Sequence, residues 1–435
     1  MWAVAGDSMW DGERFVSERA LVVEGGRIAA ATGAGDVSNA VRWEGHALVP
    51  GTVNAHGHAF QNLFKGLADD RAFSSWRDDV LYPFSEGLTE EDLYWGALFA
   101  FAEALLAGVT TTVDFFYLHD PENAGAEAVI RAARDIGIRL VFARAFYDED
   151  APTRAPARYR EKAADAAARF DALAAAHAGD PMVSIQPAPH SLHAASPETI
   201  AAALARARDH GVPCHLHLAE AAYEVEQVEE RYGTTPVRLL HRHGLLDPRL
   251  VAVHVVWADD EELDLLAAAG TAVVHCPAAN AFLGDGIARV PEMLARGIRV
   301  ALGPDGGCAN NRQSVFDEMR QATLMAKARL LDGAALTAPQ AFDLGTRRGG
   351  EVLGLEVGSL RPGCFADVVA LDLEDLSLQP RAHLERNVVS SMQQTAIKHV
   401  VVGGEVVVEE GRLTRIDRGE LVARIDEIAR RWSRP

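Results

Sequence analysis

Two histidines one residue apart, His56 and His58, close the apolar stretch Ala47-Leu48-Val49-Pro50-Gly51-Thr52-Val53-Asn54-Ala55. In an extended chain, residues i and i+2 face the same way. Both imidazoles can therefore grip one metal ion at the mouth of a strand. Surface histidine pairs are common, so the motif needs support from elsewhere. Support comes from His217 and Glu220 in His215-Leu216-His217-Leu218-Ala219-Glu220, from His254, and from Asp305 in Leu302-Gly303-Pro304-Asp305-Gly306-Gly307. Each follows a short apolar run. Imidazole nitrogen from His56, His58 and His217, with carboxylate oxygen from Asp305, suits one zinc ion or another divalent transition metal such as iron. That set leaves a position for water. Such an ion lowers the pKa of its water from about 16 to about 7, so hydroxide becomes available at neutral pH. Glu220, three residues past His217, can carry that proton to a nitrogen as a general acid–base group. His254 would polarise a substrate or hold the attacking water. His215 reads as a packed histidine.

Bringing these residues together requires the ends of several parallel strands. Short apolar strand candidates lie at 48–54, 109–115, 139–145, 183–187, 213–218, 251–255, 271–275 and 298–302, with alanine-rich helical stretches such as 89–107 and 197–210 between them. Eight βα repeats predict an α/β fold, a TIM-type (β/α)8 barrel with its active site at the C-terminal strand ends. No Gly-x-Gly-x-x-Gly follows an early strand, which counts against an open doubly wound sheet. Both chain ends read as short strands around Gly-Gly turns, Ala20–Ile28 and His399–Val408. They predict a small β-sandwich domain from residues 1–49 and 359–410. The barrel is then a continuous insert, 50–358, and a charged C-terminal helix lies in 411–435.

The chain has 435 residues, and 42 basic against 62 acidic side chains give a formal charge of −20. An acidic surface argues against a nucleic-acid or anionic-membrane partner. Cys214, Cys276, Cys308 and Cys364 lie far apart and form no C-x-x-C pair, so neither a disulfide framework nor a cysteine zinc knuckle is expected. The sequence shows no basic-then-apolar leader and no long apolar run. The expectation is a cytoplasmic enzyme acting on a small molecule, with a homodimer compatible.

The order H-x-H, H-x-x-E, His, then Asp after the eighth strand resembles the amidohydrolase superfamily. Within it, the chain is similar to the deaminase and chlorohydrolase branch, which includes guanine and 8-oxoguanine deaminases, adenosylhomocysteine deaminases and formimidoylglutamate deiminases. Ala107–Asp114, Ala188-Pro189-His190-Ser191, His275-Cys276-Pro277-Ala278-Ala279-Asn280 and Gly358–Asp367 carry the likeness over essentially the whole chain. The resemblance implies one divalent metal per chain, zinc or iron, on His56, His58, His217 and Asp305. It also implies that Glu220 shuttles protons, His254 assists at the substrate, and Asp305 takes a proton from the activated water. Stretch 183–190 offers no lysine, glutamate or aspartate for a second metal. The implied reaction is attack of hydroxide on an amino-bearing sp2 carbon of a purine-, pteridine- or pyrimidine-type heterocycle, with release of ammonia.

Specificity lies in the barrel loops. Ala59-Phe60-Gln61, Ser75-Trp76-Arg77, Tyr117-Leu118-His119 and Leu283–Ile287 resemble the formimidoylglutamate deiminases, which makes Gln61, Arg77 and Tyr117 substrate contacts. Arg77 would hold a carboxylate through a bidentate pair. Those enzymes carry an arginine three residues past the residue matching His190; here it is His193, a poorer clamp. His190 would hydrogen-bond a ring nitrogen or carbonyl. Trp76, Phe84 and Tyr117 could stack on a flat ring. An aminated heterocycle is thus the leading substrate. An acyclic amidine or guanidine acid and a cyclic amide are the alternatives. A binding scaffold without activity would have no reason to keep every ligand and the proton shuttle.

Overall fold

The computed structural model describes residues 2–37, 40–149 and 155–432; residues 433–435 of the expected terminal helix lie outside them. Eight parallel strands form two hydrogen-bonded halves. Thr52–Asn54, Val109–Phe116, Arg139–Phe146 and Val183–Pro189 make the first, and Cys214–Leu218, Leu250–His254, Ala272–His275 and Val300–Leu302 the second. The halves meet through His217 N donating to His190 O (3.0 Å) and Ala55 N donating to Leu302 O (3.0 Å), which closes the barrel. The strands are almost wholly buried, as expected of parallel strands covered on both faces, and so read as unbroken apolar runs.

The first strand candidate is two strands. Ala40–Pro50 pairs with Trp2–Trp10 and Val368–Asp372 in the outer sheet, and only Thr52–Asn54 enters the barrel. Gly51 makes the break. A Cβ there would lie 2.1 Å from Thr110 Oγ1, so only glycine lets the chain pass. Apolar residues on both sides of this joint hide it from any reading of periodicity.

The outer sheet has nine strands drawn from both chain ends, including the short Arg412–Leu413 at one edge. It wraps a small core of Val4, Met9, Leu21, Val23, Ile28, Leu48, Val368 and Val401. The buried Arg139, on the third barrel strand, ties this sheet to the barrel by pairing with Asp367 at 3.1 Å and stacking on Phe365. Arg418–Ala429 forms the last helix, and Trp432 beyond it packs on Phe64 and Phe84.

Local signals set the helix ends. Thr89 and Asp92 form a capping box before Glu90–Leu106. Ser196 caps Pro197–His210, and Gly211 ends it at φ 72°. No helix among the described residues is long and apolar enough to cross a membrane.

Candidate functional site

His56, His58, His217, His254 and Asp305 meet at the C-terminal end of the barrel, all buried. Neighbouring carbonyls fix two of the tautomers. His58 Nδ1 lies 2.6 Å from Phe115 O, and His217 Nδ1 lies 2.7 Å from His190 O. A carbonyl only accepts, so both Nδ1 atoms carry the proton and both Nε2 atoms present lone pairs. Those Nε2 atoms face each other at 3.4 Å. Asp305 Oδ1 stands 3.4 Å from His56 Nε2 and 3.4 Å from His58 Nε2. Neither ring nitrogen of His56 has a hydrogen-bond partner. Electron pairs converge with no donor between them, and a divalent cation fits that arrangement. Two overlapping triples come within reach of one ion: His56, His58 and His217; and His56, His254 and Asp305.

Burial holds the imidazoles neutral, the form that ligates metal. His58 is pushed down to about 4 by burial and then by the charge of His56. His217 falls well below its ordinary value through burial and the surrounding histidines. Burial pushes Asp305 up, but the imidazoles beside it, His56 first, outweigh it and leave the carboxyl below its usual range.

Tight backbone geometry aims these groups. Ala219 (φ 51°), His254 (74°), Val255 (47°) and Asp305 (66°) adopt left-handed conformations at the ends of three barrel strands. Such a φ strains a non-glycine residue by about 1–3 kcal/mol, most for β-branched Val255. Hydrogen bonds over-determine the turns: Val255 N to Leu218 O, Val256 N and Trp257 N to Ala219 O, and Asp305 N to His56 O. Gly303 lies beneath His56, where a Cβ would come within 2.8 Å of the His56 backbone N and O. Gly303→Ala is expected to displace His56, reduce bound metal and lower the thermal midpoint. Unchanged metal content by elemental analysis would show that this strand end yields instead.

One wall of the pocket is acidic. Glu220 Oε1 lies 3.4 Å from His254 Nε2, and Asn280 Oδ1 holds His254 Nδ1 at 2.8 Å. The backbone N–H of Glu220 donates to Glu224 Oε2 at 2.9 Å. Burial, then the charges of Asp285, Asp305 and Glu224, raise Glu220 well above the usual carboxylate range. The sequence reading assigned no role to Asn280, Glu224 or Asp285. Asn280 sits in the quoted His275–Asn280 stretch, but its contact with His254 spans 26 residues. Asn280→Ala is expected to lower kcat about tenfold by freeing the imidazole, with metal content unchanged. Wild-type kcat in that variant would remove Asn280 from the pocket's working parts.

The residues expected to contact substrate gather above the cluster. Gln61, Arg77, Tyr117, His190 and His193 all line one pocket with His58, His217, Glu220, His254 and Asp305. Gln61 Nε2 donates to Tyr117 Oη at 2.7 Å and so fixes the phenol. His190 packs its ring 4.7 Å from that of His217. The Arg77 fork is engaged by Asp78, with Nε–Oδ1 at 2.7 Å and Nη2–Oδ2 at 3.3 Å. Trp76 lines the pocket and anchors its Nε1 on Cys308 O at 2.9 Å. Phe84 turns away and packs on Phe64 and Trp432, so it does not stack on a substrate. His215 binds Gln186 Oε1 at 2.7 Å, a packed histidine.

A sequence model of the amidohydrolase family matches residues 47–407. A 5-methylthioadenosine/S-adenosylhomocysteine deaminase of Syntrophobacter fumaroxidans is 36% identical over 389 residues, 89% of this chain and 86% of that protein. A 5'-deoxyadenosine deaminase of Methanopyrus kandleri is 31% identical over 426 residues, 96% of each. Among solved structures, an adenosine deaminase from Xanthomonas campestris with bound zinc superposes with a TM-score of 0.91 at 27% identity. That match covers 99% of this chain and 98% of that one. Likeness of this extent, on a barrel that closes around its own imidazoles, makes the chain a member of the amidohydrolase family.

Proposed function

We propose that this chain is a metal-dependent hydrolytic deaminase of an aminated purine carried as an adenosine derivative. The observation that carries the reading is a pocket wall pairing the buried Glu220 carboxyl with His254 at 3.4 Å, directly beside a cluster of unprotonated imidazole nitrogens. The names of the relatives above point to the same chemistry.

His56, His58, His217 and Asp305 would hold one divalent cation, zinc or iron. That ion supplies Lewis-acid activation of a water at neutral pH. The protein's own groups do the rest. Asp305 accepts the proton that the attacking water gives up. Glu220 gives its carboxyl proton to the ring nitrogen next to the reacting carbon and is placed to return one to the departing amine. His254, held by Asn280, faces Glu220 and steadies the oxygen that becomes the carbonyl. The bonds balance: carbon gains oxygen from water, loses its amino group as ammonia, and ends as a carbonyl.

Two features favour a flat ring over an acyclic acid. The Arg77 fork is already filled by Asp78, and the aromatic sides of Trp76, Tyr117 and His190 surround the space. That space is about 50 Å³. Small-molecule sites run to about 300–1,000 Å³, so a purine enters only when a wall gives. The segment Phe73–Glu86, which carries Trp76, Arg77 and Tyr82, forms one wall of that space.

Ammonia release by the metal-loaded protein is the test. Turnover of adenosine, 5'-deoxyadenosine or 5-methylthioadenosine is expected. Ammonia from formimidoyl acids alone, or none from any aminopurine, would overturn the assignment.

A further inference from the structure

Glu318 is a buried carboxyl that the proposed chemistry does not use. It lies 1% exposed in the first turn of the helix Val315–Leu330, which follows the Asp305 loop. Burial pushes it up to about 8, against hydrogen bonds from Ala278 and Asn310, and no cationic side chain is among the groups that shift it. A buried acid without a cation costs stability, and an apolar residue of similar volume would suit such a place better. What the carboxylate supplies is geometry. Its Oε2 accepts from the backbone N–H of Ala278 at 3.1 Å, and its Oε1 accepts from Asn310 Nδ2 at 2.8 Å. The same Asn310 nitrogen also donates to Pro304 O at 2.8 Å.

Each arm ends one step from the reaction site. Ala278 belongs to the helix Pro277–Leu283, whose Asn280 holds His254 Nδ1 at 2.8 Å. Pro304 O lies on the peptide that leads into Asp305. Asp305 stands at φ 66°, and a residue in that region keeps its conformation only while its surroundings fix it. Gln313 Nε2 holds the far side of the turn by donating to Asp305 O at 3.3 Å. Asn310 and Glu318 hold the near side.

We propose that Glu318 is a positioning residue: its two oxygens lock the loops after the seventh and eighth barrel strands to one helix, and so set His254 and Asp305 against each other. The His254 half rests on the deaminase reading; the Asp305 half rests on the metal cluster alone. The two arms require a carboxylate. Both partners are donors, so both oxygens must accept. An amide in its place would turn a donor toward one of them. Asn310 cannot rotate to meet it, because both hydrogens of its Nδ2 are spent, one on Glu318 and one on Pro304. One arm would have to open.

Zinc affinity, read by competition with a chromophoric chelator, and kcat on adenosine at saturating zinc test the two halves. Glu318→Gln is expected to weaken zinc binding at least fivefold and to lower kcat at least fivefold, with KM within about twofold. Coupling separates positioning from general damage to the fold. Members of one network lose less together than the product of their single losses, whereas independent effects multiply. Glu318→Gln combined with Asn310→Ala should fall at least threefold short of that product in zinc affinity. Combined with Asn280→Ala, it should fall at least threefold short in kcat. Losses that multiply in either pair, or zinc affinity within twofold of wild type in Glu318→Gln, would overturn the proposal. Should Glu318→Gln not fold, Asn310→Ala decides alone: zinc affinity must fall at least fivefold, and a smaller loss overturns it. Should wild type deaminate no aminopurine, the deaminase reading fails, and the zinc-binding pair still decides the role of Glu318.

Discussion

Glu220→Gln is expected to cut kcat by about 10²–10⁴-fold, the usual share of a general acid–base group, with metal content and KM close to wild type. The substitution keeps the shape of the side chain and removes only its titrating proton. Glu220 is no member of either triple that could hold the ion. Its backbone is fixed independently, by the N–H bond to Glu224 Oε2, so the amide side chain should sit where the carboxyl sat. The change should therefore fall on the chemical step. Steady-state kinetics on an adenosine derivative, with elemental analysis of the same sample, gives the answer. Turnover within twofold of wild type would sink the proton-shuttle role. Loss of metal along with turnover would mean that Glu220 supports the cluster rather than the substrate.

What the sequence made legible follows from how local each feature is. His56 and His58 were readable because a strand alternates with period two and both lie just past one. Most barrel strands begin and end within one or two residues of the expected ranges, because buried parallel strands are uninterrupted apolar runs bounded by glycine, proline or charge. The helix Pro197–His210 has the expected limits, set by the Ser196 cap and Gly211. The joint at Gly51 was not legible, since Leu48–Pro50 and Thr52–Asn54 run on as one extended, wholly buried stretch but pair with different sheets. The bond between Asn280 and His254 was not legible either. It joins residues from different βα units, and only barrel closure decides that they meet. Phe84 illustrates the same limit: aromatic and near the site in sequence, it is claimed by Trp432 from the far end of the chain.

Chelation is expected to abolish deamination and to lower the thermal midpoint by several degrees, with both restored by one equivalent of zinc per chain. The stability effect follows from the geometry of the cluster. The Nε2 atoms of His58 and His217 point lone pairs at each other across 3.4 Å, Asp305 adds a carboxylate oxygen 3.4 Å from two rings, and His56 has no partner for either nitrogen. Without a cation the converging Nε2 lone pairs repel one another across the cluster. With one, each lone pair has an acceptor. An ion that binds only the folded chain stabilises it by about 4 kcal/mol when present at a thousandfold excess over its dissociation constant. One equivalent is expected, not two, because the two triples share His56. Stretch 183–190 also supplies no carboxylate or lysine to bridge a second ion. Calorimetry of chelated and reconstituted protein, with metal counted per chain, tests every part. Full activity at less than about a tenth of an equivalent would remove the metal from the mechanism. Restoration only at two equivalents would move the second ion onto His254 and Glu220, and the proton shuttle would then need another residue.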